Sequence, residues 1–323
     1  MPLRLASILF VAFCCAWPGS SAIPGTPGST HGNDALEIIS PLPNERFVTN
    51  ETVTLKVLLK HMHVDASQVV WTDSNSGVLG HGTEIQVSKL LPGAHTITVS
   101  IAGETQSVSI REFENLLDLY QAPPAEAEIK RIRKDFALNW MDAAEADEKW
   151  AAYDPPTFNQ TSLTPSKIVA LANLDVLRHQ AFSEPLPFGD GRTIYENLRK
   201  HVKQLNLLLD CANNSGGGGM INLHRWQNTW NFARRDCKSP TPSQGQFLGY
   251  AGPLFLMMHE ARHNEPGDSG HTTCYGFGNM DPSLDHGSGH ARAVLYSMWV
   301  YKYGLYDPPV MRQQARILAY STL

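Results

Sequence analysis

Several things are scarce in this sequence, and each shortage narrows the reading. Beyond the apolar run at residues 5–17 there is no long hydrophobic segment, so nothing else approaches the ~20 residues that a membrane-spanning helix needs. The formal net charge is a modest -5, and no block of lysine and arginine forms a nucleic-acid or membrane-surface footprint. Cysteine is sparse, with five in 323 residues, and two of these, Cys14 and Cys15, lie inside the N-terminal apolar run. The glycine run at residues 216–219 lacks the Lys-Ser/Thr that a phosphate-binding loop requires, so a flexible loop is expected there.

The N-terminal run has a clear meaning. Arg4 precedes it and Ser20, Ser21 and Ala22 follow as small residues, the layout of a cleaved signal peptide over residues 1–22. Cys14 and Cys15 follow Phe and Cys rather than a small residue, which argues against a lipoprotein anchor. Export is therefore expected, to the extracellular space or a periplasm, with no membrane span after cleavage. Three cysteines then remain, Cys211, Cys237 and Cys274. An oxidising compartment favours one bridge among them, either Cys211 with Cys237 around the glycine run or Cys237 with Cys274.

Residues 23–34, rich in Gly, Pro, Ser and Thr, read as a flexible lead-in. Residues 35–113 then alternate short β-branched runs with turn residues: LEIIS, TVTLKVLL, QVVWTD, EIQVSKL, HTITVSI and QSVSIRE. That spacing predicts a β-sandwich, with Trp71 as its core tryptophan. His61, His63, His81 and His95 are expected in turns or at the surface. After Phe113 the apolar period changes to three and four, and residues 114–323 are expected to be mainly helical. Helices are predicted over 114–120, 125–150, 166–182, 193–211, 246–264 and 288–303, with a short strand at 220–223.

The chemistry concentrates in LFLMMHEARHNEPGDSGH, residues 254–271. Histidines four apart on a helix share a face, so the imidazoles of His259 and His263 can reach one metal ion while Glu260 stands beside them. The pattern is H-E-x-x-H. Five of the 13 histidines fall within residues 259–290, a local excess that points to a metal site. His271 is the first candidate for a third ligand because Gly267 and Gly270 let the chain turn back; Asp281 is next, followed by Asp285, His286 and His290.

Two resemblances rest on these residues. SPLPNERF, VVWTDSNSGVLGHG and LLPGAHTITVSI resemble the immunoglobulin-like or PKD-like modules of secreted proteins, which implies a spacer or a binder of glycan or matrix. The helix with H-E-x-x-H resembles the zincin superfamily of metallopeptidases, which implies Zn2+ held by His259 and His263. It also implies Glu260 as the general base that deprotonates a zinc-bound water, and a protein or peptide substrate. The spacing departs from the metzincin subgroup, since Gly267 comes one residue late and His271 two. No Glu follows within 272–323 to serve as a gluzincin ligand, whereas Asp281 and Asp285 would suit an aspzincin. The expected architecture is thus a multidomain one, an all-β immunoglobulin-like sandwich followed by a mainly α (α+β) zincin-like catalytic domain. The alternative is an exported, non-catalytic binding or adhesion protein with a structural metal site.

Overall fold

The computed structural model describes residues 36–60, 65–122, 124, 126–140, 165–208, 215–224, 251–267 and 289–322. The signal peptide, the lead-in and all five cysteines lie outside these residues, as do the disulfide alternatives built on Cys211, Cys237 and Cys274.

The first module is built from two sheets. Strands β1 (Leu36–Ser40), β3 (Val53–Leu59) and β6 (Glu84–Val87) make a three-stranded sheet in the order β1-β3-β6. A five-stranded sheet follows the order β2-β8-β7-β4-β5, with β2 (Glu45–Val48), β8 (Glu104–Phe113), β7 (Gly93–Ile101), β4 (Val70–Asp73) and β5 (Gly77–His81). Period-two alternation creates the core between them: Val53, Leu55 and Val57 from β3 meet Ile97, Val99 and Ile101 from β7, Val108 and Ile110 from β8, and Trp71. Trp71 is fully buried, and its indole N–H donates to the Gly82 carbonyl at 2.9 Å. The β7–β8 hairpin closes through Ala102 and Gly103, both at positive φ (49° and 87°), as a two-residue primed turn demands. This is the immunoglobulin-like sandwich expected from the alternation. Two strands, β2 and β5, are too short or too glycine-rich to announce themselves in the sequence.

One histidine departs from expectation. His95 is buried rather than in a turn or at the surface; its Nδ1 meets Asp73 Oδ1 at 2.9 Å and its Nε2 meets the Leu91 carbonyl at 2.6 Å. Two oxygen partners make burial of the ring tolerable.

Beyond the sandwich, the described residues form a small mixed sheet and seven helices. They are α1 (Leu116–Gln121), α2 (Glu126–Asp135), α3 (Pro165–His179), α4 (Ile194–His201), α5 (Ala251–Arg262), α6 (Gly289–Tyr303) and α7 (Pro309–Thr322). The sheet has the order β11-β12-β10-β9. Strands β9 (Ala137–Trp140), β10 (Gln204–Leu208) and β12 (Met220–His224) run parallel, and the edge strand β11 (Ser215–Gly217) runs antiparallel to β12.

Three segments differ from the sequence expectation. The helix predicted over 125–150 stops at Asp135; Phe136 N–H makes the last helical bond, to Ile132, and the next amide, that of Ala137, donates instead to the Lys203 carbonyl. The helix predicted over 193–211 stops at His201, and residues 204–208 form the central strand β10. There Leu198, Val202 and Leu205 keep a helical period while Leu205 and Leu207 also fit a strand. Pairing decides the matter, since Leu205 and Leu207 lie opposite Ile221 and Leu223 of β12 in one buried layer. The glycine run is not a loose loop but a hairpin, with β11 turning through Gly218 and Gly219 (φ 61° and 81°) into β12. Expected strand 220–223 is present as β12.

The sandwich and the helical part belong to one compact unit, residues 35–323. Val48 and Phe113 of the sandwich sit in the helical core. Buried ion pairs reinforce the junction: Arg46 with Asp175 (3.4 Å), Arg178 with Glu128 (2.7 Å) and Glu45 (2.8 Å), Arg131 with Glu45 (2.8 Å), and His179 with Glu51 (2.7 Å).

Candidate metal centre

The site stands on α5. Its run Leu254, Phe255, Leu256, Met257 and Met258 consists mostly of strong helix formers, and Pro253 falls in the first turn, where a missing N–H costs nothing. All twelve residues of the helix are buried, the condition of a helix enclosed on every side. It ends through the Arg262 guanidinium, which donates to the Pro266 carbonyl at 2.9 Å and to that of Gly267 at 2.5 Å, with Gly267 at φ 73°.

Burial at this point brings polar groups together. The Nε2 atoms of His259 and His263 are 3.3 Å apart, with ring centroids at 5.1 Å and planes inclined by 73°. Glu260 Oε2 lies 4.0 Å from His263 Nε2. The ligand atoms of the three residues all fall within 4.8 Å of one another, which makes them the one such His/Cys/Asp/Glu group among the described residues. Two nitrogens bound to a tetrahedral zinc at about 2.0–2.1 Å stand about 3.3 Å apart, so the imidazole pair fits that ion. The same separation suits an N–H···N hydrogen bond, which holds the rings in place without a metal. Burial pushes the Glu260 carboxyl up to about 7, and a dication beside it would draw that value down again.

Two glycines make this packing possible. A Cβ at Gly216 in β11 would lie 2.1 Å from the Glu260 carbonyl oxygen, and one at Gly289, the first residue of α6, would lie 3.1 Å from His259 Cε1 and Nε2. Any side chain at either place would push on the turn that carries His259 and Glu260. Asn264 fixes the hairpin to the helix end: its Oδ1 accepts from Gly219 N–H (2.7 Å), and its amide donates to the carbonyls of Met220 (2.9 Å) and Glu260 (3.2 Å). Just beyond, Glu265 takes a two-pronged bond from Arg292 of α6 (2.8 and 2.5 Å) and one from Asn197 of α4 (2.8 Å). Gly216, Asn264, Glu265, Gly289 and Arg292 were not singled out by sequence reasoning. Only the glycine run gave a signal, and it pointed to a loop.

Of the predicted site residues, the described structure joins His259, Glu260 and His263. His271 and Asp281, the candidates for a third ligand, lie outside the described residues, as do Asp285 and His286. His290 falls in the first turn of α6, next to Gly289. Further along α6, the Arg316 guanidinium lies over the Tyr301 ring, and Tyr303 packs on Trp299.

No protein-family model matches the chain, and no curated protein matches it either. Among solved structures it is similar to a fibronectin(III)-like module of CbhA from Clostridium thermocellum (20% identity, 24% of this chain, 97% of that chain, TM-score 0.22). It is also similar to domains 4 and 5 of the S-layer protein SbsC (19% identity, 24% and 50% of the two chains, TM-score 0.17). A third likeness is to the complex of titin M10 with an obscurin-like 1 Ig domain (17% identity, 28% and 96%, TM-score 0.17). None of the three spans more than 28% of this chain. Among the described residues no helix is long and apolar enough to cross a membrane.

Proposed function

We propose that the protein is a secreted, zinc-dependent metallopeptidase. The observation that carries this reading is the buried helix that sets His259 and His263 at the separation a tetrahedral zinc requires, with Glu260 beside them. His259, His263 and a third ligand would hold the zinc ion, which would supply Lewis acidity to the scissile carbonyl and to water. Glu260 then has the two tasks of a general base and acid. It takes the proton of the attacking water, and it returns a proton to the leaving amine. Gly216 and Gly289 hold Glu260 and His259 in place by excluding any side chain at their backs.

Peptide is favoured over other acyl substrates by the placement of β11. This edge strand lies against the catalytic turn, and an edge strand offers main-chain groups to an extended peptide. The strand expected at 220–223 occupies an inner position in the sheet, and the edge beside it belongs to residues 215–217. The signal peptide at residues 1–22 supports secretion, and the sandwich supports a role in attachment or positioning at the substrate.

The experiment is a cleavage assay on denatured protein and peptide libraries with wild type and Glu260→Gln. Cleavage by the wild type, lost in Glu260→Gln and on chelation, is the expected result. Equal cleavage by the two proteins, or none by a zinc-loaded wild type, would defeat the reading and leave the non-catalytic binding protein in its place.

A further inference from the structure

One member of the histidine pair lies beyond the helix that carries the other. Helix α5 ends at Arg262, and His263 opens a turn in which Asn264 N–H bonds back to the Ala261 carbonyl and Glu265 N–H to that of Arg262, both at 3.0 Å. Such tightened bonds mark a helix end, where the backbone ladder alone no longer fixes the chain. The His263 imidazole still stands 3.3 Å from that of His259. Whatever holds the turn therefore holds the pair.

Glu265 is the hub of that turn. Its side chain is only 9% exposed and meets donors from three helices. Arg292 of α6 donates to both of its oxygens (2.8 and 2.5 Å), Asn197 of α4 to Oε1 (2.8 Å), and Arg262 at the end of α5 lies 3.4 Å from Oε2. Asn197 is itself buried, and the Arg292 guanidinium is backed by the Phe188 ring, with its Cζ 4.1 Å from the ring centroid. A two-pronged guanidinium–carboxylate pair fixes direction as well as distance. Gly289 and Arg292 are three apart on α6 and so share a face. Gly289 lies against the His259 ring while Arg292 grips Glu265, so a single turn of α6 braces the segment on either side of the ligand pair.

From this bracing we infer that Glu265 and Arg292 are positioning residues of the metal centre, which hold His263 at ligand distance from His259. Both act through the turn rather than on the ion. Supports of this kind are commonly worth 10–100-fold in metal affinity, because a ligand that must be ordered on binding binds more weakly than one already in place.

The inference rests on the zinc reading above, and its test separates the two. Zinc affinity of the full, metal-stripped chain is measured by competition with a chromophoric chelator. The visible spectrum of the cobalt(II) form reports ligand geometry, and the melting temperature of the metal-free protein reports the fold. Arg292→Met should hold zinc about 10–100-fold more weakly, with an altered cobalt spectrum. Arg292→Lys, which keeps the charge but not the fork, should recover part of that loss. Asn197→Ala removes one bond and leaves the ion pair, so a smaller loss is expected; it decides the question if Arg292→Met does not fold. Arg178→Met serves as the control, since it weakens the junction without touching this turn and should bind zinc as the wild type does. Wild-type affinity and spectrum in a folded Arg292→Met, or in Asn197→Ala where that variant does not fold, would overturn the inference and leave the zinc reading intact. So would an equal loss of affinity in Arg178→Met. A wild type that binds no zinc would overturn both.

Discussion

Two buried clusters of ionisable groups differ in how their charge is met. At the junction of sandwich and helices, Asp175 is fully buried, yet Arg46, His179 and Arg178 outweigh the burial and leave its carboxyl at about 2. On α5, Glu260 is buried with its carboxyl raised to about 7, and burial is the cause, with no cationic side chain opposing it among the described residues. The first cluster supplies its own counter-charges and acts as frame. The second leaves Glu260 beside two imidazoles without such compensation among the described residues, and an external cation would supply it. Compensation of this kind separates the two clusters more sharply than burial does.

The comparison can be broken from either side. The largest expected effect is on the chemistry: Glu260→Gln should lower peptide cleavage by roughly 10²–10⁴-fold with the melting temperature nearly unchanged, read from initial rates and a thermal scan. Next, Arg178→Met at the junction should cost about 3–5 kcal/mol in urea unfolding, because Glu128 and Glu45 lose a partner in a buried setting. If the two clusters were alike, these two variants would show similar stability losses.

Gly216→Ala should be smaller and mixed. Its methyl group meets the Glu260 carbonyl, so about 1–3 kcal/mol of stability and part of the cleavage rate should be lost together. The smallest effect concerns Glu112, whose carboxyl is raised to about 7 by burial, with Glu51 adding to the rise and His95 and His179 opposing it. A carboxyl with a raised folded pKa favours folding below its unfolded pKa and loses that contribution as pH rises through 7. Glu112→Gln should therefore stabilise the protein at pH 8 by roughly 1–2 kcal/mol, after allowance for screening, and hardly at all at pH 4. His179, raised to about 9 by Glu51 and Asp175 against the effect of burial, has the same sense and loses its contribution on the alkaline side.

Much of this was legible in the residues, and the exceptions have physical causes. The sandwich strands announce themselves by alternation because one face of each is wet, and α5 does so by its apolar run with paired histidines. Strands β9 and β10 do not, because Phe136 and Leu205 satisfy a helical period and a strand period at once, and pairing with distant residues settles the choice. His95 is hidden for a related reason: its partners, Asp73 and Leu91, are brought to it by the fold. The histidine pair was readable since His259 lies in the last turn of α5 and His263 follows its final residue, four positions on. Its support was not, since Gly216 and Gly289 matter only through close approach to atoms far along the chain.

Zinc content is the most direct test of the central claim. Wild type, His259→Ala, His263→Ala and Glu260→Gln are purified without chelator, and bound metal is measured per chain. The account predicts about one tightly held zinc in wild type and in Glu260→Gln, and its loss in both histidine variants. The same measurement on His271→Ala and Asp281→Ala identifies the third ligand. No zinc in the wild type, or full retention by the His259→Ala and His263→Ala proteins, would contradict the account.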